Sequence, residues 1–179
     1  NYITLKHKSI YYFVCILLFL GSISHAQERR RIEIEEAPFM TFDESNPDAT
    51  ILTRGNSKQV HIKHEGIELW CDEAIYYGKQ DFIEAYGKVH VKQGDTINMT
   101  SKYVEYSGIT KLAFASGSVV LTDPNSEITS DTLYFDRVKQ QAFYITSGKV
   151  VRDTTGTITS TIGRYYMNSK KYQFVDNVK

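Results

Sequence analysis

From about residue 58 to the end of the chain, apolar and polar residues alternate in segments of about ten to twelve residues, the period of a half-buried strand. Turn signals separate the segments. One series runs HEG (64–66), QGD (93–95), DPNS (123–126) and DTTG (153–156); a second runs YGKQ (77–80), SGIT (107–110), DRVK (136–139) and MNSK (167–170). Each series advances by about thirty residues and the two interleave at about fifteen. Both are rich in Gly, Asp, Asn and Ser, which turn a chain by tolerating left-handed backbone or by bonding their own main chain. The pattern predicts a meander of about nine long strands, each antiparallel to the next because short turns allow no crossover.

The segments also match residue by residue. VHIK (60–63) matches VHVK (89–92), and IEAYGKVHV (83–91) matches AFASGSVVL (113–121) and, more loosely, FYITSGKVV (143–151). TSKYVEY (100–106) matches TSDTLYF (129–135) and TSTIGRYY (159–166), so Ile128-Thr129-Ser130 and Ile158-Thr159-Ser160 mark the same strand of successive units. The chain is a repeat of two-strand units. A strand of eleven residues reaches roughly 36 Å, well beyond an ordinary strand, and such strands bend. The alternation slips by one in mid-strand, between Ile128 and the pair Leu133/Phe135 and again between Ile97/Met99 and Val104/Tyr106. A bulge at each slip would keep both halves facing one side.

Residues 27–47 break the pattern. ERRRIEIEEAPF is charge-dense and DESNPD is turn-rich, so the segment is expected to be an exposed leader and linker ahead of a repeat domain at 48–179, with TILTRGN (50–56) opening it. Residues 1–26 differ again. Lys6 and Lys8 precede the apolar run IYYFVCILLFLG, and Ser24 and Ala26 stand three residues and one residue before a cleavage point, the plan of a secretory signal peptide. The run is shorter than the roughly 20 residues of a membrane span. The chain begins with Asn and ends on QFVDNVK without a terminating feature, so it is expected to be part of a longer protein.

Composition narrows the classes of function. The chain has 21 basic and 21 acidic residues, which supports no electrostatic case for nucleic acid. Thirteen Tyr, nine Phe and only three Pro favour strands. After signal removal Cys71 is the only cysteine, so no internal disulfide holds the fold. His61 and His64 share a strand but face opposite sides, and no third metal ligand is in view. Cys71 has no His nearby in sequence and reads as a small strand residue. Asp81, Asp95, Asp123, Asp136 and Asp153 fall at turns, and nothing selects a catalytic carboxylate pair. No nucleotide-binding or nucleophile-elbow motif is present. The chain is therefore not expected to be an enzyme or to hold a cofactor or metal; a carbohydrate-active β-solenoid would need converging carboxylates.

One face of the strands is more informative. Its inward series reads Ile83, Ala85, Gly87, Val89, Val91, then Ala113, Ala115, Gly117, Val119, Leu121, then Phe143, Ile145, Val150. Two readings fit it: the filled core of a structural repeat protein, or an elongated apolar trough able to hold acyl chains.

The lines DFIEAYGKVHVKQGDTINMTSKYVEYSG and KLAFASGSVVLTDPNSEITSDTLYFD resemble the OstA-like family, which includes LptA and the LptD N-terminal domain of lipopolysaccharide transport. The resemblance covers roughly residues 48–179. It implies an all-β fold, a bent antiparallel jelly-roll or half-pipe built from the thirty-residue two-strand units. It further implies a periplasmic module that carries lipid A acyl chains toward the outer membrane in a groove. That groove would be lined by the inward series together with Ile97, Met99, Val104, Ile128, Leu133 and Phe135. Open edge strands would pair with other Lpt-type jelly-rolls or, head to tail, with copies of the chain.

Overall fold

A computed structural model describes residues 30–153 and 156–179; the expected signal peptide lies outside them. The described residues form β1 (Glu33–Glu36), β2 (Phe39–Phe42), β3 (Ala49–Thr53), β4 (Val60–His64), β5 (Ile67–Cys71), β6 (Glu73–Tyr77), β7 (Phe82–Gln93), β8 (Ile97–Ser107), β9 (Leu112–Asp123), β10 (Ser126–Asp136), β11 (Gln141–Tyr144), β12 (Gly148–Arg152), β13 (Gly156–Ser160), β14 (Ile162–Tyr166) and β15 (Lys171–Val175). All pairings are antiparallel, and the sheet does not close on itself.

The repeat unit becomes a V-shaped rung. β7 to β10 run unbroken through their bends, whereas the neighbouring rungs are divided into β5 and β6, β11 and β12, and β13 and β14. Stacked in register, the rungs make two arms. The first arm pairs β1, β4, β5, the second half of β7, the first half of β8, the second half of β9, the first half of β10, β12 and β13. The second arm pairs β2, β3, β6, the remaining halves of β7 to β10, β11, β14 and β15. The fold is the bent half-pipe, with its core between the arms.

The alternation slips are the bends. Register shifts fall between Tyr86 and Val89, between Thr100 and Tyr103, and between Ser130 and Thr132. Two residues of one rung oppose a single residue of the next, the arrangement of a β-bulge. Gly87 and Lys88 (φ 71° and 46°), Gly117 and Ser118 (82° and 54°), and Asp176 and Asn177 (58° and 49°) all take left-handed backbone at this level. The opposing rung supplies a hydroxyl staple. Ser101 Oγ donates to the Tyr103 carbonyl at 3.1 Å, and Ser160 Oγ to the Ile162 carbonyl at 2.8 Å. Ser130 Oγ instead donates to the Ser147 carbonyl of the next rung at 2.8 Å, so Thr-Ser recurs because its serine ends the first half of a rung and satisfies a carbonyl at the bend.

A methyl on Gly117 would lie 2.8 Å from Cβ of Lys102, and its φ already disfavours a side chain. Gly117→Ala is expected to cost about 1–2 kcal/mol, read as a lower urea midpoint with an unchanged m-value. An unchanged midpoint would show that the bend does not need glycine.

The segment expected as an exposed leader differs in the structure, because it forms the outermost rung. Ile32 is 5% exposed within the core, and Ile34 packs against it. Glu36 and Glu35 face Lys58 and Lys63 outside. The alternation Ile32-Glu33-Ile34-Glu35 is that of an edge strand with one wet face, hidden in the sequence by the density of charge.

Candidate functional site

The interior between the arms is apolar along its length. Ile83, Ala85, Val89, Met99, Val104, Ala115, Val119, Leu121, Ile128, Leu133, Phe135 and Val150 lie in one buried cluster, and Val91, Ile97 and Ala113 pack against it. The same alternation in earlier rungs adds Leu52, Ile62, Ile67, Leu69 and Ala74, which sequence reasoning left out although VHIKH and IELWC carry the signal.

Two expected members are corrected. Phe143 stacks on Tyr134 on the outer face, with Arg164 over its ring, and Ile145 is 47% exposed. Ala142 and Tyr144 face inward instead, each 1% exposed. The register explains the change: Phe135 pairs with both Ala113 and Ala142, and Ile128 with both Leu121 and Val150, so this unit follows the one before it by 29 residues on both sides of the bend, one fewer than a thirty-residue period assumes. Gly87 and Gly117 are corrected too, since they serve the bends and do not widen the interior.

Tyr144 thus stands where earlier rungs have Ala85 and Ala115. Its ring lies over Gly163, its direct cross-strand partner. Because the Ser160 hydroxyl proton goes to the Ile162 carbonyl, Tyr144 Oη donates to Ser160 Oγ at 2.8 Å. Tyr165, Tyr172 and Phe174 stack beside it. The C-terminal third is filled by aromatic rings.

Toward the N-terminal side the interior holds an apolar cavity of about 40 Å3, walled by Ile62, Leu69, Ile83, Met99, Val104 and Leu121 among others. That space exceeds the roughly 10–15 Å3 needed by one water but falls far below the roughly 300 Å3 of a small-ligand pocket. Apolar side chains are exposed at both ends of the sheet. Met40 and Phe42 are 47% and 70% exposed at one end, and Val178 is 53% exposed at the other.

Polar bonds clasp the arms across the mouth of the V. The Arg30 carbonyl can only accept, so His64 Nε2 donates to it at 3.0 Å. Nδ1 then accepts from the Tyr106 hydroxyl at 2.7 Å, and that oxygen accepts from Arg137 Nη1 at 3.1 Å. Arg137 Nη2 also donates to the Glu65 carbonyl at 2.7 Å, and Lys111 Nζ lies 2.5 Å from Glu65 Oε2. Farther along, Gln93 meets Gln140, Tyr165 donates to Asp123, and Ser126 meets Tyr172.

Two clasp carboxyls are held below their ordinary values of 4.5 and 3.8: Glu65 by the bond from Lys111, and Asp123 by bonds from Tyr165, Asn125 and Ser126 that outweigh its burial. A lowered folded-state value gives stability above the ordinary carboxylate range that is lost as pH falls through the folded value. The melting temperature is expected to fall between about pH 5 and pH 3 and to be flat above. A flat profile throughout would show that these carboxylates do not hold the mouth.

The other candidate groups are packed into the fold. His61 stacks on Trp70 outside and meets Glu68 Oε2 at 2.8 Å, while His64 is buried inside. Cys71 is fully buried, and burial pushes its thiol up to about 12. Among the described residues no three or more His, Cys, Asp or Glu come together as a metal site.

Comparison with known proteins fits this geometry. No match was found among curated proteins. Among solved structures the fold is similar to LptH of Pseudomonas aeruginosa, the LptA-homologous periplasmic component of its lipopolysaccharide transport device. The TM-score is 0.56 at 16% identity, covering 62% of this chain and 82% of that one. Residues 29–179 match the family described as OstA-like protein. On that match, and with a half-pipe built from its own repeats, the chain belongs to the OstA-like family.

Proposed function

We propose that the chain is an exported, periplasmic module that carries lipopolysaccharide toward the outer membrane. It would hold lipid A acyl chains between its arms without catalysing a reaction. The observation that carries this reading is the apolar interior, continuous between the arms, with Met40, Phe42 and Val178 exposed at the two ends of the sheet. At about 40 Å3 the cavity holds no acyl chain, so the arms must part at the bends. Burying about 300 Å2 of acyl surface yields roughly 7 kcal/mol. Each clasp bond is worth about 1 kcal/mol net, so a chain can open the mouth and still bind. Movement along the pipe needs a partner, since no nucleotide motif is present.

The edges offer the partner surfaces. β1 and β2 lie at one end, with Glu33, Glu35 and Glu36, while β15 lies at the other, with Lys170 and Lys171; β13 at that same end is covered by the chain's own Lys179, which pairs with Thr159. Such edges accept a further strand from another jelly-roll or a second copy.

The small cavity and the Tyr144 rings favour a second reading, a structural repeat protein with a filled core. Photo-crosslinking in cells separates the two. A reactive residue at inward Ala115 is expected to trap lipopolysaccharide, and one at outward Phe114 is not. No lipid at either position, in folded protein, would establish the filled core.

A further inference from the structure

The mouth of the V is not clasped evenly. One stretch is held by Arg137, Glu65 and Lys111, and another by Asp123 with Tyr165 and Ser126 with Tyr172. Between them stands one bond between neutral amides, Gln93 Nε2 to Gln140 Oε1 at 3.1 Å. Beside that bond opens a cleft of about 330 Å3 between the turns at 93–97 and 123–125 on one arm and those at 140 and 167–170 on the other.

Three features of this cleft point to one kind of occupant. Its size is that of a small-molecule site. Its polar wall consists mainly of neutral amides and hydroxyls, Gln93, Thr96, Asn125, Gln140 and Asn168, with a single carboxylate and a single ammonium, Asp123 and Lys170. That is a surface for many hydroxyl groups, not for one concentrated charge. Gln93 and Ile97 line both this cleft and the apolar cavity beneath it. Gln93 Oε1 is buried without a hydrogen-bond partner, an acceptor whose satisfaction needs a donor from outside the protein.

We infer that the cleft is a side entrance that seats the saccharide headgroup of a glycolipid while its acyl chains pass Ile97 into the interior. This inference rests on the lipid-carrying reading above and adds to it a polar subsite and a point of entry. A sugar hydroxyl donates to Gln93 Oε1, and the other amides and Thr96 take neighbouring hydroxyls. Occupation replaces the Gln93–Gln140 bond, so loading and opening of the mouth become one event.

The test is equilibrium binding to the full chain, with three probes: purified lipopolysaccharide, palmitate, and the lipid-free oligosaccharide released from the same lipopolysaccharide. Gln93→Leu keeps the bulk and removes the amide; Thr96→Val is a second variant at the cleft alone, and melting curves establish that both are folded. Gln93→Leu frees the clasp for both lipids alike, so lipopolysaccharide is expected to weaken about tenfold relative to palmitate, the loss of one buried hydrogen bond. Thr96→Val is expected to weaken lipopolysaccharide in the same direction. Lipopolysaccharide binding unchanged relative to palmitate in both variants overturns the cleft and leaves the trough standing. Equal weakening of palmitate also overturns it, because Gln93 then acts only as trough wall. Oligosaccharide binding as tight as lipopolysaccharide overturns the headgroup assignment in favour of a free-sugar site. Wild-type protein that binds neither lipopolysaccharide nor palmitate removes the trough reading itself.

Discussion

Gly163→Val is expected to destabilise the filled end of the interior strongly. A Cβ there would stand 2.2 Å from Cζ of Tyr144, and a Cβ on Gly148 would likewise stand 2.7 Å from that ring, so the ring is seated against two glycines. Overpacking a buried site costs roughly 1–3 kcal/mol or more, and here the clash is with the body of a ring that is 1% exposed. Tyr144→Ala alone is expected to cost roughly 3–5 kcal/mol through lost burial and the cavity left behind. The two residues act on the same space, so the double variant should be more stable than the sum of the single losses predicts. Denaturant midpoints of the three proteins measure this. Strict additivity would show that Tyr144 does not lie on Gly163. Tyr144→Ala also opens the filled third of the interior, so palmitate should raise its melting temperature more than that of the wild type.

The placing of Tyr144 shows where sequence reading stopped. The repeat, the strand pattern and the two slips of alternation are local, and the slips marked bends between Met99 and Val104 and between Ile128 and Leu133. Those readings rest on alternation, which burial enforces. One unit follows its predecessor by 29 residues, not thirty, so Phe143 and Ile145 lie outside while Tyr144 takes the place of an alanine. Only the pairing of Phe135 with Ala142 reveals the shift. The glycines misled for another reason: a small residue on an inward list reads as open space, whereas φ near +80° shows a backbone requirement. The clasps were not legible at all. His64 and Tyr106 are 42 residues apart, and Arg137 and Glu65 are 72 apart. Residues at turns read as solvated until the two arms bring their ends together.

That contact between distant turns sets the second large effect. The Arg137 side chain is 10% exposed, and its guanidinium binds the Tyr106 hydroxyl and the Glu65 carbonyl, joining the arms. Arg137→Met keeps the aliphatic stem and removes both charge-assisted bonds, at an expected cost of about 3 kcal/mol. The loss should be local. Amide hydrogens of the turns at 64–66 and 137–140 should exchange faster, while those beside the bends at Ser101 and Ser130 keep their protection. Equal acceleration at the bends would mean that the arms open only by unfolding. Faster exchange confined to the mouth would mean that the pipe opens as a hinge, with the bends as fixed points and Arg137 as the strongest clasp. In that case Arg137→Met should load lipopolysaccharide faster than the wild type, because less of the acyl burial energy is spent on parting the arms.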